Sequence, residues 1–220
     1  MKRQLRGIIF DLDGVIVDTF ELYYATNKKV ADYLSIPFTR MDNEKFRGIG
    51  RMEIIEAMVS QSNQQFSQEQ KEELAEGKNQ HYQTLINNID EKSILPGIKT
   101  FIMELKKNKI KMAIASSSTN AKTVLEKVGL INYFEYIVDP TSLKKGKPDP
   151  EIFLAAASGL NISPENCAAI EDGEAGLQAI LAAKMFSIGI GTNKKMSKAD
   201  WYVESTEELC FLELVRRFEG

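Results

Sequence analysis

Histidine and cysteine are almost missing from this 220-residue chain, which has one of the first, His81, and two of the second, Cys167 and Cys210. One imidazole and two distant thiols leave little room for a zinc site or a Ser-His-Asp triad. Two such cysteines make no disulfide framework either, and fit a reducing cytoplasm. An apolar run of about 18 residues, the length of a membrane span, is absent, and Met1-Lys2-Arg3-Gln4 leads into no signal-type segment. Basic excess is missing too: 28 basic against 31 acidic residues give a net charge of −3. That balance lacks the field needed for non-specific nucleic-acid binding. The expectation is a soluble cytoplasmic monomer without nucleic-acid or membrane partners. Any catalysis here must run on carboxylates, lysine and hydroxyls, with or without a hard metal ion.

What is present is an alternation of short buried strands and helices. Gly7–Phe10 is apolar and β-branched and runs straight into Asp11. Further strand patterns lie at 110–115, 136–138, 168–170 and 186–190, with helical periodicities between them. Gly129 is placed to stop one helix, and Asp149-Pro150 reads as an N-cap followed by proline at the first helical position. Leu209, Leu212 and Val215 predict a closing helix. Such βαβ units imply a parallel, doubly wound sheet. The segment from Asp18 to about Lys92 differs, with helical stripes and no strand. It predicts a helical insertion after the first strand, with Leu95-Pro96-Gly97 marking the return to the core. The expected division is residues 1–18 and 92–220 for the core and 19–91 for the insertion. The polar stretch 193–201 reads as a loop.

Ligands of such sheets bind beyond the carboxyl ends of the strands. Those ends hold Asp11 and Asp13, the run Ser116-Ser117-Ser118-Thr119-Asn120, a loop with Lys144, Lys145 and Lys147, and Glu171-Asp172. Carboxylates converging on one edge repel unless a cation lies among them, and oxygen-only donors point to Mg²⁺. A Ser/Thr run before a helix and a nearby lysine suit a phosphate. Asp11 is then a candidate nucleophile, Asp13 a general acid/base, and Ser116 and Lys147 stabilisers of the transferring phosphoryl group. Singly, each of these has an ordinary reading as a turn, cap or solvated residue. Their joint arrival at successive strand ends favours a site.

Asp11-Leu12-Asp13-Gly14-Val15, with Ser116, Lys147-Pro148 and Ile170-Glu171-Asp172, resembles in order and spacing the four motifs of the haloacid dehalogenase superfamily. Within it, residues 5–192 resemble the β-phosphoglucomutase family. The resemblance implies an α/β, Rossmann-like parallel-sheet core with an inserted α-helical cap domain. It also implies Mg²⁺-dependent phosphoryl transfer on a hexose phosphate through an aspartyl-phosphate. Asp11, Asp13, Glu171 and Asp172 would serve the metal, Asp13 through its carbonyl, and Ser116, Asn120 and Lys147 the phosphate. Ser117 and Ser118 flank that phosphate site, and Thr19 lies near the hinge. In the cap, Arg47-Gly48-Ile49-Gly50-Arg51 resembles the segment that holds the distal phosphate, and Lys78-Asn79 a pair facing the sugar phosphate. Lys78 also falls on the apolar stripe of its own helix, where a lysine must snorkel or face a polar cleft.

Two positions depart from that family. Tyr23 stands where the mutases usually have a histidine, and Asn27 where they typically have tryptophan. A sugar-phosphate phosphatase therefore stays open as the alternative, with a non-enzymatic phospho-receiver or regulator as a remote one.

Overall fold

The computed structural model describes residues 4–220. Gly7–Phe10 forms β1. It is followed by the helices α1 (Phe20–Tyr33), α2 (Arg40–Glu44), α3 (Arg51–Val59) and α4 (Gln68–Leu85). The chain then alternates: α5 (Ile98–Lys107), β2 (Lys111–Ile114), α6 (Ala121–Lys127), β3 (Tyr136–Ile137) and α7 (Glu151–Gly159). It ends with β4 (Cys167–Glu171), α8 (Glu174–Ala182), β5 (Phe186–Ile190), β6 (Trp201–Val203) and α9 (Phe211–Glu219).

The strands form one six-stranded sheet in the order β3-β2-β1-β4-β5-β6. Every pairing is parallel. Parallel strands carry helices on both faces, so β1, β4 and β5 are buried residue by residue rather than alternately. Successive side chains serve opposite cores. Ile8 and Phe10 join Phe101, Leu105, Leu125 and Leu214 on one face. Ile9 joins Phe153, Ala156 and Ile180 on the other.

The inserted helices have a core of their own, built from residues such as Ala31, Phe38, Ile55 and Met58. α1 and α4 pack together, and Tyr82 and Ile86 reach down into the sheet's core. The two connecting segments run side by side: Leu95 N donates to Ile16 O at 2.8 Å and Asp18 N to Ser93 O at 3.2 Å.

Several local expectations need correction. The stretch 193–201 is not all loop: its last residue opens β6, which pairs with β5 at the sheet edge. Pro150 rather than Asp149 occupies the N-cap of α7, although Asp149 Oδ1 still accepts from Glu151 N at 3.0 Å. Leu209 precedes α9 and Leu212 is exposed, the buried face being Leu214 and Phe218. Gly129 does end α6, in the left-handed region at φ 74°. Among the described residues, no helix is long and apolar enough to cross a membrane.

Candidate active site

The sheet register sets the site. Phe10 is level with both Ile114 and Ile170, so the next residues, Asp11, Ala115 and Glu171, leave three adjacent strands at one height. Asp11 N donates to Ile170 O at 3.0 Å and Ala115 N to Phe10 O at 2.8 Å, which fixes both exits. After Asp13 the chain reverses at Gly14, whose φ of 79° favours glycine, and Gly14 N bonds Val17 O at 2.8 Å. A Cβ on Gly14 would lie 1.9 Å from Asp172 Oδ2. Gly176, in α8, is equally tight: a Cβ there would lie 1.8 Å from Glu171 Oε1.

Asp11, Glu171 and Asp172 are buried and offer carboxylate oxygens within 4.8 Å of one another. Of the three lysines in the loop after β3, only Lys147 is buried. Its Nζ donates to Asp11 Oδ1 at 2.7 Å and also to Glu171 Oε1. Burial pushes Lys147 down, but Asp11 and Glu171 outweigh it and hold the ammonium above its usual range. Glu171 Oε2 accepts from the backbone N–H groups of Asp172 and Gly173. Asp172 Oδ2 accepts from Arg47, which Glu44 also holds. Burial drives the Asp11 carboxyl well up, against the pull of Lys147 and with Glu171 adding to the rise. Burial likewise pushes Asp172 up to about 7, against Arg47. A buried cluster of hard oxygen donors whose acidic protons are held this tightly fits a divalent cation of the magnesium type.

Asp13 is held separately. Thr19 Oγ1 donates to its Oδ1 at 2.6 Å, Tyr82 OH to the same oxygen at 3.4 Å, and Tyr23 OH to Oδ2 at 3.3 Å. Burial raises the Asp13 pKa, and these hydroxyls, Thr19 first, pull it back. The Tyr23 and Tyr82 rings stack at 4.6 Å.

A pocket opens above these carboxylates, between the strand ends and the inserted helices. Its walls include Asp11, Asp13, Thr19, Tyr23, Gly48, Ile49, Arg51, Lys78, Ser116, Ser117, Ser118 and Asn120. Lys147, Glu171 and Asp172 do not line it; Lys147 meets it through its bond to Asp11. Gly50 is off the wall, as the N-cap of α3, where a Cβ would meet Glu53 Oε2 at 2.2 Å. His81 lies outside this pocket, in a groove along α1 and α4.

Lys78 faces the cleft rather than snorkelling: it is 6% exposed and its Nζ sits 5.4 Å from the Tyr23 ring centre. Burial, then Arg51, lower its pKa to about 8. The insertion also binds the strand ends directly. Arg51 Nη2 donates to Thr119 Oγ1 at 2.6 Å, Ser117 Oγ to Gly48 O at 2.9 Å, and Gln83 Nε2 to Asn120 Oδ1 at 3.2 Å. Asn120 Nδ2 donates to Asn79 Oδ1 at 2.9 Å, so Asn120 ties core to insertion in this arrangement. Sequence reasoning missed Tyr82 on Asp13 and Gln83 on Asn120, and it expected Arg47 at the distal phosphate, whereas Arg47 pairs with Asp172.

An acidic, cation-seeking floor at the ends of parallel strands, roofed by inserted helices, defines a class of α/β enzyme. A family model for haloacid dehalogenase-like hydrolases matches residues 5–184. The chain belongs to that family and is an enzyme of it, a phosphotransferase or phosphatase, as the four motifs imply. It is 45% identical over 213 residues to a β-phosphoglucomutase of Bacillus subtilis, covering 96% of this chain and 94% of that one. It is 30% identical to a phosphorylated carbohydrates phosphatase of Thermotoga maritima over 81% and 82% of the two chains. The crystal structure of a β-phosphoglucomutase from Clostridium difficile superposes with a TM-score of 0.93 at 40% identity, covering 98% of this chain and 97% of that one.

Proposed function

We propose that the protein is a Mg²⁺-dependent β-phosphoglucomutase-like enzyme that converts β-glucose 1-phosphate to glucose 6-phosphate through glucose 1,6-bisphosphate. Residues 19–91 act as a cap over a catalytic core of 1–18 and 92–220. The observation that carries this reading is the pairing of two aspartates in different surroundings at one pocket floor. Asp11 lies against the Lys147 ammonium in a carboxylate cluster suited to a cation, which fits a nucleophile, and Asp13 in a hydroxyl cage, suited to an acid/base. The 45% identity to the Bacillus mutase supports isomerisation over hydrolysis.

In one half-reaction an Asp11 oxygen forms a bond to phosphorus as the bond from phosphorus to O1 of glucose 1,6-bisphosphate breaks, leaving glucose 6-phosphate. Protonated Asp13 gives its proton to that oxygen. In the other half, Asp13 takes the proton of the 6-hydroxyl of β-glucose 1-phosphate, whose oxygen takes the phosphoryl group from Asp11 and gives glucose 1,6-bisphosphate. Lys147 and Ser116 face the negative charge spread over the phosphoryl oxygens. Asp11, Glu171, Asp172 and the Asp13 carbonyl would hold the Mg²⁺, which supplies charge neutralisation for the phosphoryl group when bound. Lys78 and Arg51 hold the phosphate that is not reacting, and cap closure keeps water from the aspartyl-phosphate.

The test incubates the protein with Mg²⁺, β-glucose 1-phosphate and catalytic glucose 1,6-bisphosphate, and measures glucose 6-phosphate and free phosphate in parallel. Glucose 6-phosphate should dominate, and EDTA or Asp11→Asn should abolish it. Free phosphate as the main product refutes the isomerisation and favours the phosphatase alternative. Substantial turnover by Asp11→Asn removes Asp11 as nucleophile.

A further inference from the structure

Asn27, on α1, is 1% exposed and lines the catalytic pocket. Its Nδ2 donates to Asn43 Oδ1 at 2.8 Å, and Asn43 Nδ2 reaches back to Phe20 O at 3.5 Å. That second contact fixes the Asn43 amide with its oxygen toward Asn27, which in turn fixes the Asn27 amide with its nitrogen toward Asn43. Asn27 Oδ1 is thereby left buried without a hydrogen-bond partner among the described residues. Buried carbonyl oxygens are almost always paired, and an unmet one is costly. The same pocket is lined by the apolar side chains of Phe20, Phe46, Ile49 and Ile54. A lone acceptor on such a wall discriminates between ligands that bring a donor and ligands that do not.

We propose that Asn27 Oδ1 accepts a hydrogen bond from one ring hydroxyl of the substrate, making the Asn27–Asn43 pair a specificity element of the cap. This rests on the sugar-phosphate reading above. The substrate class it selects is a polyhydroxylated sugar phosphate with a free hydroxyl donor facing α1. Asn43 is a positioning residue, acting by fixing the orientation of the Asn27 amide.

The test compares β-glucose 1-phosphate with its 2-, 3- and 4-deoxy analogues, measuring kcat/KM for glucose 6-phosphate and for free phosphate. The wild-type protein should lose about 5- to 10-fold on one analogue, the usual worth of one hydrogen bond. In Asn27→Leu that selective loss should shrink below about 2-fold, because no acceptor remains. The double variant Asn27→Leu/Asn43→Leu removes both amides together and guards against a fold damaged by leaving Asn43 unpaired. An even response of the wild type to all three analogues overturns the proposal, as does the same selective loss in the variants. The deoxy series is read on whichever product the wild type makes. Free phosphate in place of glucose 6-phosphate therefore refutes the isomerisation while Asn27 remains under test.

Discussion

Lys78→Met should move activity and stability in opposite directions. In the folded protein the Lys78 ammonium is buried beside Arg51, and its pKa falls from 10.5 to about 8. Near pH 7 the folded state therefore carries a charge that the unfolded chain would hold in water at lower cost. A pKa lowered by folding means that the unfolded state binds more protons between about 8 and 10.5, so stability rises with pH across that window. Below it the penalty is fully present, and above it the penalty is gone. Linkage sets the penalty at no more than about 3 kcal/mol. Replacing Lys78 by a methionine of similar length removes the penalty and keeps the packing against Tyr23. Each kcal/mol moves Tm by about 2–4 °C in a chain of this size, so Lys78→Met should melt several degrees higher at pH 7. The gain should fade as the pH approaches 10.

Activity should do the reverse. A charge-assisted contact to phosphate contributes about 1.5–3 kcal/mol, so kcat/KM for the sugar phosphate should fall by about 10- to 100-fold. In the wild type kcat/KM should decline as pH rises through about 8, where free Lys78 loses its charge. Calorimetry and initial rates from pH 6.5 to 9.5 on both proteins measure the two effects. An unchanged or lower Tm in Lys78→Met, or an alkaline decline shared by both proteins, would refute the reasoning.

Gly14→Ala places a methyl group 1.9 Å from Asp172 Oδ2 in a left-handed backbone. It should lose at least about 1–2 kcal/mol of stability and most Mg²⁺-stimulated activity; thermal melts with and without Mg²⁺ check this, and a variant as stable and as responsive as wild type contradicts it. Tyr23→Phe removes one hydroxyl from Asp13 but keeps the ring stacked on Tyr82. It should lower kcat about 3- to 10-fold with little change in KM, since the lost bond is long and serves the acid/base rather than ground-state binding. Steady-state kinetics that show the loss in KM alone would place Tyr23 on the substrate instead.

Strands β1, β2, β4 and β5 are legible in the sequence because burial on both faces writes them as apolar runs. β6 is not, because only three residues pair at the sheet edge and a polar stretch leads into them. α2 was equally hidden, although the capping box of Thr39 and Asp42 is a local signal that marks its start. At the site, Asp11, Asp13, Ser116, Lys147 and Glu171 could be found because each follows a strand or the loop beyond one. The contacts of Tyr82 with Asp13 and of Arg47 with Asp172 could not, since each residue meets its carboxylate only when the inserted helices lie on the sheet. Those partners are 69 and 125 positions apart, and no periodicity reports such a meeting. Lys78 is intermediate: its place on an apolar stripe marks it as unusual, and only the fold shows what it faces.

The side-by-side run of Ile16–Asp18 and Ser93–Leu95 has a consequence for how such a chain can change over generations. The helices between them begin and end at neighbouring points, so their loss or exchange asks nothing of the sheet register that aligns Asp11 with Glu171. Phosphorus chemistry and the choice of molecule that receives it are thus written in separable stretches of the gene. On the proposed roles, mutation in the stretch encoding Asn27, Arg51 and Lys78 would redirect the enzyme toward a new molecule while Asp11, Lys147 and Glu171 are inherited unchanged, provided the contacts of Tyr23 and Tyr82 to Asp13 and of Arg47 to Asp172 are kept.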